Sequence, residues 1–249
     1  MKKERMSEEK RMNVRKLFLI ALVVGCLVTS LAAQDAPAPE GQADHATAIK
    51  QSLQTSAAAI RQYEWVETTV VSLKGEEKSR TQNSCLYGAD GKVQKTPIGE
   101  QPESSGKKKR GLRGRAVKKK TAEISDSAKE AVSLIKQYIP PDPARIDAAK
   151  QAGKLSVTPP DAKGNVQLVI RDYLKEGDSV TIEVNAAADK LTGMKVSTFT
   201  DKAKDTVGLN VAMGTLTDGT IYAEKIQLDI EAEKMAIAID NSGYKKVGG

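Results

Sequence analysis

At 249 residues, with 39% hydrophobic and 29% charged residues, the chain has an ordinary globular composition and room for one domain with a sizeable core. One histidine and two cysteines exclude a zinc site built from imidazole and thiolate ligands, and any catalytic set that needs an imidazole would have to use His45. The formal charge of +7 is unevenly held: residues 1–33 carry seven basic and three acidic groups, residues 107–120 carry nine basic and none acidic, and the remainder is mildly acidic at −6.

Residues 1–33 read as a secretory signal peptide. Lys2 to Lys16 is charged, Leu17 to Ala33 is apolar and uncharged, and Ser30-Leu31-Ala32-Ala33 provides a small-residue exit. Met1, Met6 and Met12 are all usable starts, since the stretch from Met12 to Lys16 is by itself an adequate basic region. Two alternatives stay open. Residues 17–33 are just long enough to serve as an uncleaved anchor. Val23-Val24-Gly25-Cys26 resembles a bacterial lipobox with Cys26 as the lipidated residue, although the chain after it stays apolar. All three readings export the domain. Residues 34–43, rich in Pro and Ala, read as a flexible tether to a single domain over 44–249.

Asp44 is placed to cap a helix from about His45 to Gln62, with Ile49, Leu53, Ala57 and Ile60 on one face. Tyr63 to Ile98 then reads as a three-stranded meander, rich in Val, Thr, Trp and Tyr, broken at Lys74-Gly75-Glu76-Glu77 and at Asp90-Gly91. Residues 99–120 form a basic loop. Thr121 to Ile139 repeats apolar residues at helical spacing through Ile124, Ala128, Ala131, Leu134, Ile135 and Tyr138, and Ser127 to Glu130 fits a capping box. Pro140-Pro141 stops this helix, Asp142-Pro143 starts a short one, and Gly153 ends it. From Gly164 the period becomes two: Val166, Leu168 and Ile170, then Val180, Ile182 and Val184, and so on to Met235, Ile237 and Ile239. That alternation predicts an antiparallel meander with one buried and one wet face. The small residues Gly208, Asn210, Ala212 and Gly214 fall opposite the apolar side of their strand.

The fold class is therefore α+β: an antiparallel sheet whose apolar face only the helices can cover. This order of helix, meander, loop, two helices and long meander resembles the periplasmic lipoprotein-carrier (LolA-like) fold, an open half-barrel with helices on its concave face. The segments YEWVET (63–68), YGADGKVQKTP (87–97), YIPPDP (138–143) and NSGY (241–244) are similar to those of a group of uncharacterised secreted bacterial proteins, a likeness that brings no function with it.

The residues argue for a non-enzymatic binding protein with no cofactor and no metal, an uncertain hydrolase being the remaining alternative. No glycine-rich nucleophile elbow surrounds a serine, and no phosphate loop or calcium-loop spacing occurs. Cys85 sits in mid-strand and reads as a buried structural thiol. The half-barrel resemblance implies a lipid or a lipoprotein acyl chain as ligand, and the apolar stripes of the helices offer Leu53, Ile60, Leu134, Ile135 and Tyr138 as candidate lining. The alternative is a structural or surface-adhesion module. There, Lys107, Lys108, Lys109, Arg110, Arg113, Arg115, Lys118, Lys119 and Lys120 would dock on an anionic membrane or polysaccharide. The run holds no aromatic residue for base stacking, which argues against nucleic acid. The leader reading has a direct check. N-terminal sequencing of the protein from its producing cell is expected to begin near Ala33 or Gln34, and an intact Met1 or Met12, or a lipidated Cys26, overturns it.

Overall fold

The computed structural model describes residues 40–99, 126–201 and 205–248, with side chains from residue 48 onward. Helix α1 spans Glu40–Ala59 and passes through a single 3-10 turn, Ile60–Gln62, into β1 (Tyr63–Leu73), β2 (Glu76–Tyr87) and β3 (Val93–Pro97). Helix α2, residues 126–135, and α3 (Pro143–Gln151) follow. The remaining strands are β4 (Leu155–Val157), β5 (Asn165–Arg171), β6 (Ser179–Asn185), β7 (Lys190–Phe199), β8 (Thr206–Thr215), β9 (Ile221–Ile230) and β10 (Met235–Lys246). The leader, most of the expected tether and the basic run 107–120 lie outside the described residues.

All ten strands belong to one open sheet in the order β3-β2-β1-β10-β9-β8-β7-β6-β5-β4. Every neighbouring pair is antiparallel. The two meanders are joined by their ends: β1 pairs with β10 from Leu73↔Met235 to Tyr63↔Lys246. The chain therefore leaves β3 at one edge and re-enters at β4 on the other, and α2 and α3 lie on that crossing. They cover one face of the sheet. Four of the nine pairings carry a register shift, which adds local twist and curls the sheet. At one of them Gly243 takes φ +65°, a left-handed conformation natural to glycine, opposite the start of β1.

Period two places Val180, Met194, Val196, Val207, Leu209, Ile226, Leu228, Ile230, Met235, Ile237 and Ile239 in one apolar core. From the helices come Ala128, Ala131, Val132, Ile135 and Ala149, and from the turn after α2 comes Tyr138. Most of the expected α2 stripe is thus buried, with Leu134 half-buried at its side. Two polar contacts pin α2. Ser127 Oγ donates to Glu233 Oε1 at 2.9 Å, in the turn between β9 and β10. Beyond the other end, the Tyr138 hydroxyl donates to Asp178 Oδ2 at 2.7 Å and lies 2.7 Å from Thr198 Oγ1. Asp178, itself buried, also accepts the backbone N–H groups of Tyr173, Leu174 and Lys175. The Tyr173 hydroxyl in turn accepts the Asp142 N–H at 2.6 Å, and Asp142 Oδ1 caps α3 by accepting from Ala144 N.

Four sequence expectations change. Helix α2 ends at residue 135, short of the expected Ile139, because the N–H groups of Gln137 and Tyr138 turn to the carbonyls three residues back, Leu134 and Ile135. Helix α1 starts at Glu40, ahead of the expected His45, because Gln42 and Ala43 favour helix and no proline occurs within Glu40–Ala59. The capping box at Ser127 is not formed: the hydroxyl is spent on Glu233, and the helix already includes residue 126. Strand β4 was not legible, since three residues are too few to show an alternation.

The Asp178 contacts set an expectation for stability. Asp178→Ala leaves a buried hydroxyl and three backbone donors short of an acceptor and is expected to cost about 3 kcal/mol or more. Tyr138→Phe, which leaves Asp178 its backbone donors, is expected to cost about 1 kcal/mol. Urea unfolding checks both, and an Asp178→Ala protein as stable as the wild type contradicts the assignment.

Candidate ligand-binding face

The helix-bearing face has an apolar expanse and a polar, aromatic corner, and β1 crosses from one to the other. Alternation puts Tyr63, Trp65, Glu67, Thr69, Val71 and Leu73 on the same face. The first four are buried, while Val71 and Leu73 are half-buried against the core. Across the sheet, Leu155, Leu168, Ile182 and Val211 are likewise only partly buried. The described helices thus leave apolar strand surface incompletely covered.

In the corner, Glu67 is wholly withdrawn from solvent. Lys95, reaching over from edge strand β3, places its Nζ 2.6 and 2.5 Å from the two carboxylate oxygens, and the Thr69 hydroxyl donates to Oε1 at 3.4 Å. The lysine side chain keeps 19% of its surface exposed, so the pair meets water only on that side. The Trp65 Nε1–H donates to Asn241 Oδ1 at 3.1 Å, and Asn241 Nδ2 donates to the Ala223 carbonyl at 2.9 Å. Around Trp65 the ring of Tyr244 stacks at 5.6 Å between centroids, and Tyr87 lies at 5.5 Å. Tyr222 then packs on Tyr244 at 4.4 Å. The Tyr222 ring also fills the space above Gly214, where a Cβ would come within 2.6 Å of it. Its neighbours Asn210 and Ala212 are exposed, so no described helix sits on that row of small residues.

Tyr63 anchors the start of β1 to the turn between β8 and β9, its hydroxyl donating to Asp218 Oδ2 at 2.6 Å. That hydrogen bond and those from Thr220 hold the Asp218 carboxyl down to about 2. Cys85, opposite both Trp65 and Lys95, has no exposed surface, and burial followed by the Glu67 charge pushes its thiol up to about 11. A thiol held that high is a poor nucleophile. Thr81, opposite Thr69, carries a buried hydroxyl oxygen with no hydrogen-bond partner, alone in this among the described side chains.

Of the expected lining residues, Leu134, Ile135 and Tyr138 come together in the core beneath α2. Ile135 and Tyr138 are fully buried, and the Tyr138 hydroxyl is committed to Asp178 and Thr198. Leu53 and Ile60 are half-buried on α1 and the turn after it, apart from that cluster; α1 packs on β7 and β9 and receives the Ile221 N–H at Ser56 Oγ, 2.9 Å. The nine basic residues of 107–120 lie outside the described residues. Among the described residues no group of His, Cys, Asp and Glu could hold a metal ion, and no helix is long and apolar enough to cross a membrane. Sequence reading missed the polar corner. Its signal was there: Glu67 falls in phase with Trp65, Thr69 and Val71, a charge at an inward position.

No protein-family model matches the chain, and no curated protein matches it. Solved structures do. It is similar to a DUF1329 family protein from Desulfovibrio piger at 10% identity, over 83% of this chain and 92% of that one, with a TM-score of 0.35. It is similar to a putative outer membrane lipoprotein-sorting protein domain from Vibrio parahaemolyticus at 10% identity, over 82% and 94%, with a TM-score of 0.34. A LolA superfamily protein from Nitrosomonas europaea matches at 15% identity, over 79% and 92%, with a TM-score of 0.31. These are distant likenesses of fold, too low in identity and score to carry a function across.

The buried state of Cys85 is open to direct measurement. A thiol reagent is expected to label native protein slowly and denatured protein at once. Fast native labelling, or a covalent dimer that reductant dissolves, contradicts the buried thiol.

Proposed function

We propose that the protein is an exported, non-enzymatic binding protein that accommodates an acyl chain on the apolar face of its open sheet. The observation that carries the reading is the incomplete cover of that face. Val71, Leu73, Leu168, Ile182 and Val211 on the strands are only partly buried around the core, and so is Leu134 on α2. An acyl chain laid there gains roughly 0.8 kcal/mol per methylene withdrawn from water, so eight methylenes supply about 6 kcal/mol before ordering costs. The leader supports export. The raised thiol pKa, the single histidine and the absence of a metal-holding group among the described residues support binding without catalysis.

The basic run 107–120 serves delivery in this reading. Each Lys or Arg near an anionic bilayer adds about 1 kcal/mol, so even half of the nine give salt-sensitive association. A fluorescent fatty acid is expected to bind at micromolar concentration. Leu134→Lys is expected to weaken it without unfolding the protein, because Leu134 is only half-buried. Replacing Lys107 to Arg110 with Ser is expected to reduce vesicle binding at low salt and leave ligand affinity unchanged. If no lipid probe binds while vesicle association persists, the carrier reading is wrong and the surface-module reading replaces it.

A further inference from the structure

We propose that the corner formed by Thr81, Thr69, Glu67 and Lys95 is a subsite for the head of the bound amphiphile, and that it selects an uncharged, hydroxyl-bearing head such as that of an acylglycerol. The inference rests on the acyl-chain reading and adds to it the chemistry of the ligand's polar end.

Three observations converge here. First, β1 changes from polar to apolar along a single face. Glu67 and Thr69 are followed by Val71 and Leu73, and Ile239 and Ile237 of β10 lie directly opposite Thr69 and Val71. From Thr69 to Leu73 is roughly 13 Å at strand rise, the scale of a chain lying against the strand with its head at Thr69. Second, the corner holds a costly polar group with no structural use for it. The Thr81 hydroxyl is buried, points to the same side as Thr69 across the β1–β2 pair, and has no partner among the described residues. An orphaned hydroxyl of this kind calls for a ligand or a water to complete it. Third, the ion pair beside it is internally neutral and opens to solvent only along Lys95.

Those features choose among head groups. An anionic head would face Glu67, whose charge Lys95 already balances through both oxygens. A cationic head would compete with Lys95 for the same carboxylate. An uncharged hydroxyl accepts from Thr81 and donates to a carboxylate oxygen without disturbing the pair. Burial of Glu67 and Thr69, on the same face of β1 as Trp65, strengthens such bonds.

The test is displacement of a bound fluorescent fatty acid by three competitors of equal chain length: a monoacylglycerol, a fatty acid and an alkyltrimethylammonium. The monoacylglycerol is expected to displace at about one-tenth the concentration of the other two, the size of one or two hydrogen bonds. Thr81→Val removes a hydroxyl that bonds to nothing among the described residues, so it is expected to keep or raise Tm while abolishing the preference. Thr81→Ser, which retains the hydroxyl, is expected to preserve it. Equal displacement by all three heads in the wild type, or a preference that survives in Thr81→Val, overturns the subsite and leaves the carrier reading standing. Failure of the fluorescent acid itself to bind removes the carrier reading, and the subsite with it.

Discussion

β1 is the strand on which the two halves of this protein meet. Without its pairing to β10, the N-terminal meander would be a three-stranded ribbon and the C-terminal meander a seven-stranded sheet. Neither would enclose a common face. The pairing joins residues almost the whole length of the domain apart, Tyr63 with Lys246, and so carries a large loop-closure cost. The gain that offsets it is concentrated in the same strands. Val71 and Leu73 sit beside Ile237 and Met235, Trp65 bonds Asn241, and Tyr244 stacks on Trp65. Once β1 and β10 are paired, the sheet edges are β3 and β4, and the connection between them has to cross one face.

That crossing explains where the polar latches are. An amphipathic helix laid over a curled sheet is free to slide unless its ends are fixed. Here one end is fixed by Ser127 to Glu233, and beyond the other Tyr138 reaches Asp178 and Thr198. Asp178 is well supplied with donors, since backbone N–H groups of the β5–β6 turn converge on it. The same turn presents Tyr173 to the cap of α3. Helix position, turn conformation and strand register are thereby one arrangement.

The Glu67–Lys95 pair differs in kind from these latches. Buried ion pairs contribute little net stability compared with apolar residues of the same size, yet removing one partner costs about 3–5 kcal/mol. Its lysine comes from the short edge strand β3, so the pair also binds that edge to the sheet. It stands beside an unsatisfied hydroxyl and at the point where β1 turns apolar. A core built for stability alone would not place those groups together.

Much of the fold was legible in the sequence, because alternation of apolar residues is a local consequence of which side of a pleated strand faces water. Val207 and Leu209, Ile226 and Leu228, and Ile237 and Ile239 announce their burial by spacing alone. Asp142-Pro143 and Asp90-Gly91 likewise fix their turns through backbone chemistry that needs no partner. Leu134, Ile135 and Tyr138 were legible as an apolar stripe, but their division into core and border was not, since that depends on what α2 lies against. Partners distant in the chain were equally hidden: nothing near Glu67 points to Lys95, nothing near Tyr138 points to Asp178, and nothing near Ser127 shows that its hydroxyl serves Glu233 rather than its own helix. Spacing along the chain settles nine of the ten described strands, their inward faces and the α+β layout. Which charges are buried together, and which apolar surface stays open, depends on residues that the chain brings into contact only after β1 has found β10.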